Sequence, residues 1–599
     1  MGNLVYFGPG IPGPPYHFLL PIHETFFMSS PDWIVLAITL LVIIAYGLYK
    51  SHTTRDLDGY FLSNRTLPWY MVLLSIMGTQ ASAVTFLSAP GQAYTDGMRF
   101  VQLYFGLPLA MIVVCISFVP VYRKLKIYTA YEFLEKRFDL KTRTLTSFLF
   151  LLQRGVSTGI SISAPSIILS SLLDWNIIWT NIVIGGFLII YTVSGGAKAV
   201  AYTQQLQLII ILSGMFIAGW MVVHLLPSNV GFFDALHVSG KAGKLNVIST
   251  GQTEKGFNWK DTYNIWTGII GGFFLQLSYF GTDQTQVGRY LTAKSTSESR
   301  LGLLMNGLVK IPMQFLILMV GALVFTFYRY HEEPVFFNKT QLEILSHSKY
   351  KDSLAILRQQ YDASQQTKVQ EMYRQESGIM EKNSAAWNES SALVEASGKN
   401  TSEVRKTIKR WIGDLNGNAN DTNFIFLRFV LDYLPKGLVG LLIAVIFCAA
   451  WGSNAAALNA LASSTIVDFH VRFASAPFTK EREYNLSKWY TLAWGIFCIL
   501  VAQVAYNAGN SLIEAVNKLG SIFYGSILGI FLVAFYFKRL GGTAVFVSGC
   551  IIQVMIILIH IMNEKNMIGL SYLWLTLIGA VGVILLSLLL NPFFKRKMG

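Results

Sequence analysis

Leu73-Leu-Ser-Ile-Met-Gly-Thr-Gln-Ala-Ser-Ala-Val-Thr-Phe-Leu-Ser-Ala-Pro-Gly91 is an apolar stretch with polar and small residues where a plain helix would not put them. Gly78, Thr79, Gln80, Ser82 and Thr85 crowd its centre, and Pro90 and Gly91 follow. Such residues favour local unwinding. In hydrocarbon, unwound backbone is tolerable only where it is buried in protein or lines a cavity. Its freed carbonyls are then hard oxygen ligands, the kind Na⁺ takes. The plainer alternative is a helix that uses small residues for close packing, and on this segment alone both readings stand. Gly271-Gly-Phe-Phe-Leu-Gln-Leu-Ser-Tyr-Phe-Gly281 is a second glycine-interrupted apolar segment, five spans further on. An inverted five-helix repeat would bring two such helices together at the membrane midplane, which favours the cavity reading.

The rest of the chain supports a membrane setting. Of 599 residues, 53% are hydrophobic and only 13% charged, with mean hydropathy +0.46; soluble chains carry about 25% charged residues. The net charge of +14 sits in short Lys/Arg clusters between apolar runs, as orientation signals do, and no basic stripe with interleaved aromatics points to nucleic acid. Cys115, Cys448, Cys498 and Cys550 each lie in an apolar run without a CxxC spacing, so they read as small core residues. No Lys or Arg precedes Lys50, so a basic signal-peptide n-region is not expected.

Thirteen spans are expected, near 32–49, 68–94, 100–122, 144–172, 175–195, 199–226, 263–282, 300–328, 432–468, 487–508, 511–537, 541–562 and 569–591. With that count, Lys50, Arg55 and Arg65, the cluster from Arg123 to Arg143, Arg289, Lys294 and Arg300, Arg472 to Lys488, Lys538 and Arg539, and Lys595, Arg596 and Lys597 all fall on one side. That side is then cytoplasmic, with the N-terminus outside and the C-terminus inside. The expected localisation is the plasma membrane, or the inner membrane of a bacterium. The divisions follow: 1–67, the outer N-terminus and first span; 68–328, the core; 329–424, a polar exported insertion; 425–540, the rest of the second repeat; 541–599, two further spans and a basic tail. In the insertion, Leu354–Tyr361 and Val404–Ile412 are weakly amphipathic, and Asn338, Asn388, Asn400 and Asn420 open N-x-[ST] matches that arise readily by chance.

No phosphate loop GxxxxGK[ST] and no HExxH appears, so ATP-driven and zinc-protease chemistry lack support and no enzyme is expected. The energy source is then an ion gradient. Cys448-Ala-Ala-Trp-Gly-Ser-Asn-Ala-Ala-Ala-Leu-Asn459 has small residues that let a neighbouring backbone approach to ion-sharing distance, with plain packing as the alternative. Two intramembrane charge sites stand out. Lys310 lies mid-span without a local acid, which points to the solute; Glu514 and Lys518 flank Asn517 and are spaced to pair with each other.

Four segments resemble the sodium:solute symporter family, which includes sodium–glucose and sodium-coupled monocarboxylate cotransporters. They are Ser82–Gly91; Phe118-Val-Pro-Val-Tyr122 with Tyr131-Glu-Phe-Leu-Glu-Lys-Arg-Phe138; Thr192-Val-Ser-Gly-Gly-Ala-Lys-Ala-Val-Ala-Tyr-Thr203; and Thr282-Asp-Gln-Thr-Gln-Val-Gly-Arg-Tyr-Leu-Thr-Ala-Lys294. The resemblance implies an all-α, LeuT-like core of two inverted five-helix repeats, working by alternating access with Na⁺ as the coupling ion. It places sodium ligands at the carbonyls of Gly78, Ala81 and Ala449 and the hydroxyl of Ser453, with Gly452 where the family often has a second hydroxyl. It places solute contacts at Gln80, Thr85, Gln276, Tyr279, Phe280, Lys310 and Asn517. The acidic sugar contact of the third span is missing, with Gln102 and Tyr104 in its neighbourhood. Where the family motif runs Tyr-Thr-Asp, this chain has Tyr202-Thr203-Gln204. Loss of that carboxylate predicts one Na⁺ per solute rather than two.

The expected function is sodium-coupled import of a small polar organic solute, leaning to a sugar or polyol. A monocarboxylate, sialic acid or amino acid is the alternative solute, and a membrane receptor on the same fold the non-transport alternative. The expected partners are the solute and the lipid bilayer, with neither nucleic acid nor an obligate protein partner.

Overall fold

The computed structural model describes residues 28–50, 56–173, 175–376, 384–474, 478–505 and 512–594. Helices dominate, and the one sheet among these residues pairs Gln252–Thr253 with Gly256–Phe257. Nine helical stretches among the described residues are long and apolar enough to cross a membrane, so the count of thirteen is not reproduced. The difference lies at elements that are broken or polar. The expected span at 68–94 is two short helices, α2 (Trp69–Gln80) and α3 (Ala83–Asp96), after an initial α1 (Ser30–Lys50). The next span is α4 (Leu107–Val113) and α5 (Val119–Leu125), joined by a π turn over Val114–Phe118. Next comes α6 (Leu140–Leu173), whose polar stripe of Gln153, Arg154, Ser157, Thr158 and Ser161 dilutes its hydropathy.

The spans expected at 175–195 and 199–226 form one helical run, α7 (Ile177–His224), kinked at Gly196 where φ is 57°. Only glycine holds that left-handed backbone without strain, and a Cβ there would also come within 3.1 Å of the Tyr60 carbonyl. The second repeat opens with another broken pair, α8 (Gly272–Gly281) and α9 (Gln284–Leu291), and continues as α10 (Thr296–Tyr330). Beyond the insertion come α13 (Thr422–Tyr433) and α14 (Leu438–Ser464), then α15 (Lys480–Ala505), α16 (Leu512–Tyr536), α17 (Gly542–Glu564) and α18 (Leu573–Leu590). Helix α14 is buried over nearly its whole length and is packed by α1, α6, α7 and α15. Its run of Ala, Gly and Ser is what lets so many neighbours close around it.

The insertion, expected from its two amphipathic stretches to be partly helical, is mostly helical. It forms a helical hairpin, α11 (Lys351–Glu376) and α12 (Ala385–Asp414). Tyr350 stacks on Trp411, Asn400 bonds Ser364, and Gln375 bonds Ser390, which fixes an antiparallel register. The two weakly amphipathic stretches supply its small core through Leu354, Tyr361, Val404, Ile408 and Ile412. At its base, half-buried Arg405 pairs with Glu333 and with buried Asp421 just before α13. Of the N-x-[ST] asparagines, Asn388 and Asn400 are exposed on α12, whereas Asn338 is buried.

Basic loops that are far apart in sequence meet at one end of the molecule. Arg65 bonds the carbonyl of Ile127, Arg123 that of Ala293, Arg137 that of Lys538, and Arg472 pairs with Glu135. Arg55 and Lys595 to Lys597 lie outside the described residues. Glu514 and Lys518 do pair, and Lys518 also reaches Glu564.

Candidate functional site: a cavity between two broken helices

The first break falls at Ala81-Ser82. Ala81 has φ −78° and ψ 68°, outside the helical range. The Ser82 amide donates to the Gln80 carbonyl at 2.9 Å instead of to Gly78, which leaves the Gly78 carbonyl without its helical donor. The second break is at Thr282-Asp283, directly after the glycine-interrupted segment Gly271–Gly281. There the Asp283 carboxylate accepts the Thr285 amide at 2.8 Å and caps α9.

Between the breaks lies a cavity of about 140 Å³. That is roughly ten times the 10–15 Å³ that a single water needs, and of a size for a small organic molecule. Gln80, Thr85, Gln276, Tyr279, Lys310 and Asn517 line it, and so does Ser453. Phe280 does not; it is buried in the hydrophobic core. Successive helical residues point about 100° apart, so Tyr279 facing the cavity turns Phe280 away from it. Tyr104 lines the cavity too, whereas the Gln102 amide is turned to the Tyr263 carbonyl at 2.8 Å.

The wall opposite is α6. Gln153, Arg154, Ser157, Thr158 and Ser161 recur at helical spacing and all face the cavity. Arg154 forms an ion pair with Asp283 and donates to the Tyr524 hydroxyl at 2.7 Å. Lys310 has no such partner: its Nζ has no hydrogen bond among the described residues and sits 5.4 Å from the Tyr104 ring centroid. No Asp or Glu is among the lining residues.

Beside the first break, Gln204 ties three helices. Its Oε1 accepts from Ser75 at 2.7 Å, and its Nε2 donates to the Thr79 hydroxyl at 3.0 Å and to the Gly452 carbonyl at 2.9 Å. Gly78 and Gly452 both abut Gln204, and a Cβ on Gly78 would lie 2.8 Å from its Cβ.

The family model for the sodium:solute symporters matches residues 60–344 and 407–552. The chain belongs to the sodium:solute symporter family. It is 22% identical over 570 residues to a sodium/sialic acid symporter of Aliivibrio fischeri, covering 95% of this chain and 94% of the relative. It is 30% identical over 286 residues to the human sodium/iodide cotransporter, covering 46% and 42% of the two chains. Among solved structures, the substrate-bound outward-open state of a Na⁺-coupled sialic acid symporter superposes with a TM-score of 0.71 at 22% identity, over 95% of this chain and 99% of that one. The fold is therefore the LeuT-like one of Na⁺-coupled symporters, and the coupling ion is Na⁺.

The region between the two matched segments, 345–406, holds α11 and all of α12 but its last two turns, so most of the hairpin lies outside the matched segments. Of the sodium ligands that the family resemblance implies, Ser453 lines the cavity, as do Thr79 and Ser82 of the broken helix. Its hydroxyl donates to the Ala449 carbonyl at 2.9 Å, which spends the proton inside α14 and leaves the oxygen's lone pairs for a cation. Gly78, Ala81, Ala449 and Gly452 are buried and do not line the cavity. These are hard neutral oxygens, the donor type that fits Na⁺. Replacing Ser453 with alanine is accordingly expected to raise the Na⁺ concentration for half-maximal transport about tenfold, by loss of roughly one charge-assisted interaction, with expression unchanged. A Na⁺ titration that superposes on wild type would make Ser453 a packing residue.

Reading the sequence missed the α6 wall. The signal was present: an arginine inside an expected span, flanked at three- and four-residue spacing by Ser and Thr. An intramembrane arginine is a functional candidate by default. It was hidden by its distance in sequence from Asp283, its counter-charge.

Proposed function

We propose that the protein imports a small organic anion, one carrying a carboxylate and several hydroxyls, with sialic acids the first candidates. The observation that carries this reading is Lys310: a buried ammonium facing the cavity, with no hydrogen-bond partner among the described residues and no acid in the lining. A charge at that depth needs a counter-charge, and the solute is the group positioned to supply it. The hydroxyls and amides of α6, Thr85, Gln276 and Asn517 suit a polyhydroxylated body. Relatives of near full length named as sodium/sialic acid symporters agree with this choice, and the lean towards a neutral sugar or polyol gives way to it. The cluster of basic loops at one end supports the cytoplasmic assignment of that end, hence a plasma-membrane protein with its N-terminus outside.

The test is uptake into proteoliposomes of N-acetylneuraminate, with neutral N-acetylmannosamine as the control. Uptake of the acid is expected to follow an inward Na⁺ gradient and to collapse when that gradient is removed. The reversal potential is expected to give one Na⁺ per solute, because a neutral amide donor of Gln204 already occupies the Gly452 carbonyl and no carboxylate offsets repulsion between two cations. Uptake driven by a proton gradient with Na⁺ inert would overturn the coupling. Preference for the neutral sugar would overturn the anion reading.

A further inference from the structure

Arg154 is shared between two environments. It lines the cavity, yet its Nη2 is held by Asp283, whose side chain is fully buried. Tyr524 closes the group: its hydroxyl accepts from Arg154 at 2.7 Å and donates to the same Asp283 oxygen at 2.6 Å. The other Asp283 oxygen caps α9 at the second helix break. Arg154 Nε, also buried, has no hydrogen-bond partner among the described residues. One edge of the guanidinium is thus engaged and another donor is unused.

We infer that Asp283 is a built-in counter-anion that takes Arg154 when the cavity holds no solute, so that the empty carrier can close and return. The inference rests on the anionic solute proposed above. A guanidinium stripped of water and of any counter-charge inside a membrane protein is strongly unfavourable. A bound carboxylate removes that penalty on the loaded step, where Arg154 can engage it with two parallel donors. On the empty step Asp283 is the carboxylate in contact with Arg154 among the described residues, whereas Lys310 has none. Because Asp283 stands at the break between α8 and α9, its hold on Arg154 also ties the broken helix to α6, and an incoming carboxylate that competes for Arg154 loosens that tie. Asp283 is on this reading a positioning residue that acts through Arg154.

The experiment separates net uptake, which needs the empty carrier to return, from solute–solute exchange, which does not. In proteoliposomes with N-acetylneuraminate as the probe, Asp283→Asn is expected to cut Na⁺-driven net uptake about tenfold, within the usual range of such couplings. Exchange at saturating Na⁺ should be retained and KM for the acid lowered. Asp283→Glu should restore net uptake in part. Exchange and net uptake falling together, at equal folded protein in the membrane, would mean a structural role and overturn the inference. So would both staying at wild-type values. If Asp283→Asn fails to fold, Tyr524→Phe loosens the same group while keeping both charges; it is expected to lower the ratio of net uptake to exchange, and an unchanged ratio overturns the inference. A wild type that takes up no organic anion overturns the proposed function, and this inference with it; a wild type that does so, with Asp283→Asn unchanged in the ratio, overturns this inference alone.

Discussion

Replacing Lys310 with methionine is expected to weaken N-acetylneuraminate binding by at least about a hundredfold, since truncating one member of a buried charge pair removes several kcal/mol. Na⁺ binding is expected to survive, because none of the proposed sodium ligands lies on α10. The two effects come apart because Lys310 faces the solute cavity from α10, whereas Ser453 and its neighbours lie on α14. Methionine keeps most of the length of lysine and deletes only the ammonium, so packing is nearly conserved. The solute-free variant is expected to be at least as thermostable as wild type: the charge it removes has no hydrogen-bond partner, and an unpaired charge at that depth is costly by ~3 kcal/mol or more. Calorimetric titration and thermal unfolding of the purified variant check both halves. Solute affinity within a few-fold of wild type would show that Lys310 does not meet the solute.

Replacing Arg405 with alanine is expected to destabilise the α11–α12 hairpin by about 3 kcal/mol, since it leaves the buried Asp421 carboxylate short of a counter-charge. Arg405 pairs with Glu333 at 2.7 Å and Asp421 at 2.8 Å. Burial pushes the Asp421 carboxyl up, but Arg405 and Lys409 outweigh it and hold it below the usual carboxylate range. A depressed carboxylate contributes stability above its unfolded pKa, and that stability is lost as pH falls through the folded value. Wild type is therefore expected to lose this anchor only in acid, and Arg405→Ala to lose it at neutral pH. Hydrogen exchange across α11, α12 and α13 measures the anchor directly. Unchanged protection in Arg405→Ala would mean that the hairpin is held by its apolar core alone.

What was legible in the residues was local. The break in the first helix could be read from Gly78 to Thr85 because small and β-branched residues weaken a helix wherever it is, and the structure interrupts the helix inside that stretch, at Ala81-Ser82. Lys310 and the Glu514–Lys518 pair could be read because a charge in an apolar run is conspicuous. The family was legible from four separate segments, and the family match covers them. The second break falls at the C-terminal end of the glycine-interrupted segment, just after Gly281, whereas Gly271 and Gly272 sit in a π turn and helix where a Cβ on Gly272 would come 2.5 Å from the Leu103 carbonyl.

By itself the sequence determined that this is an all-α membrane protein of the sodium:solute symporter family with Na⁺ as its coupling ion, because hydropathy, charge clusters and motif spacing are properties of neighbouring residues. Only the tertiary structure decided which side chains share the cavity. Arg154 and Asp283 are 129 residues apart, and Gln204 and Gly452 are 248 apart, so no periodicity links them. Whether a helical residue faces solute or core depends on how its helix is rotated against its neighbours, which is why Tyr279 lines the cavity and Phe280 does not. The pairing of Arg154 and the lack of a hydrogen-bond partner for Lys310 among the described residues follow from the same packing, and they are what favours the proposed anion over a neutral sugar.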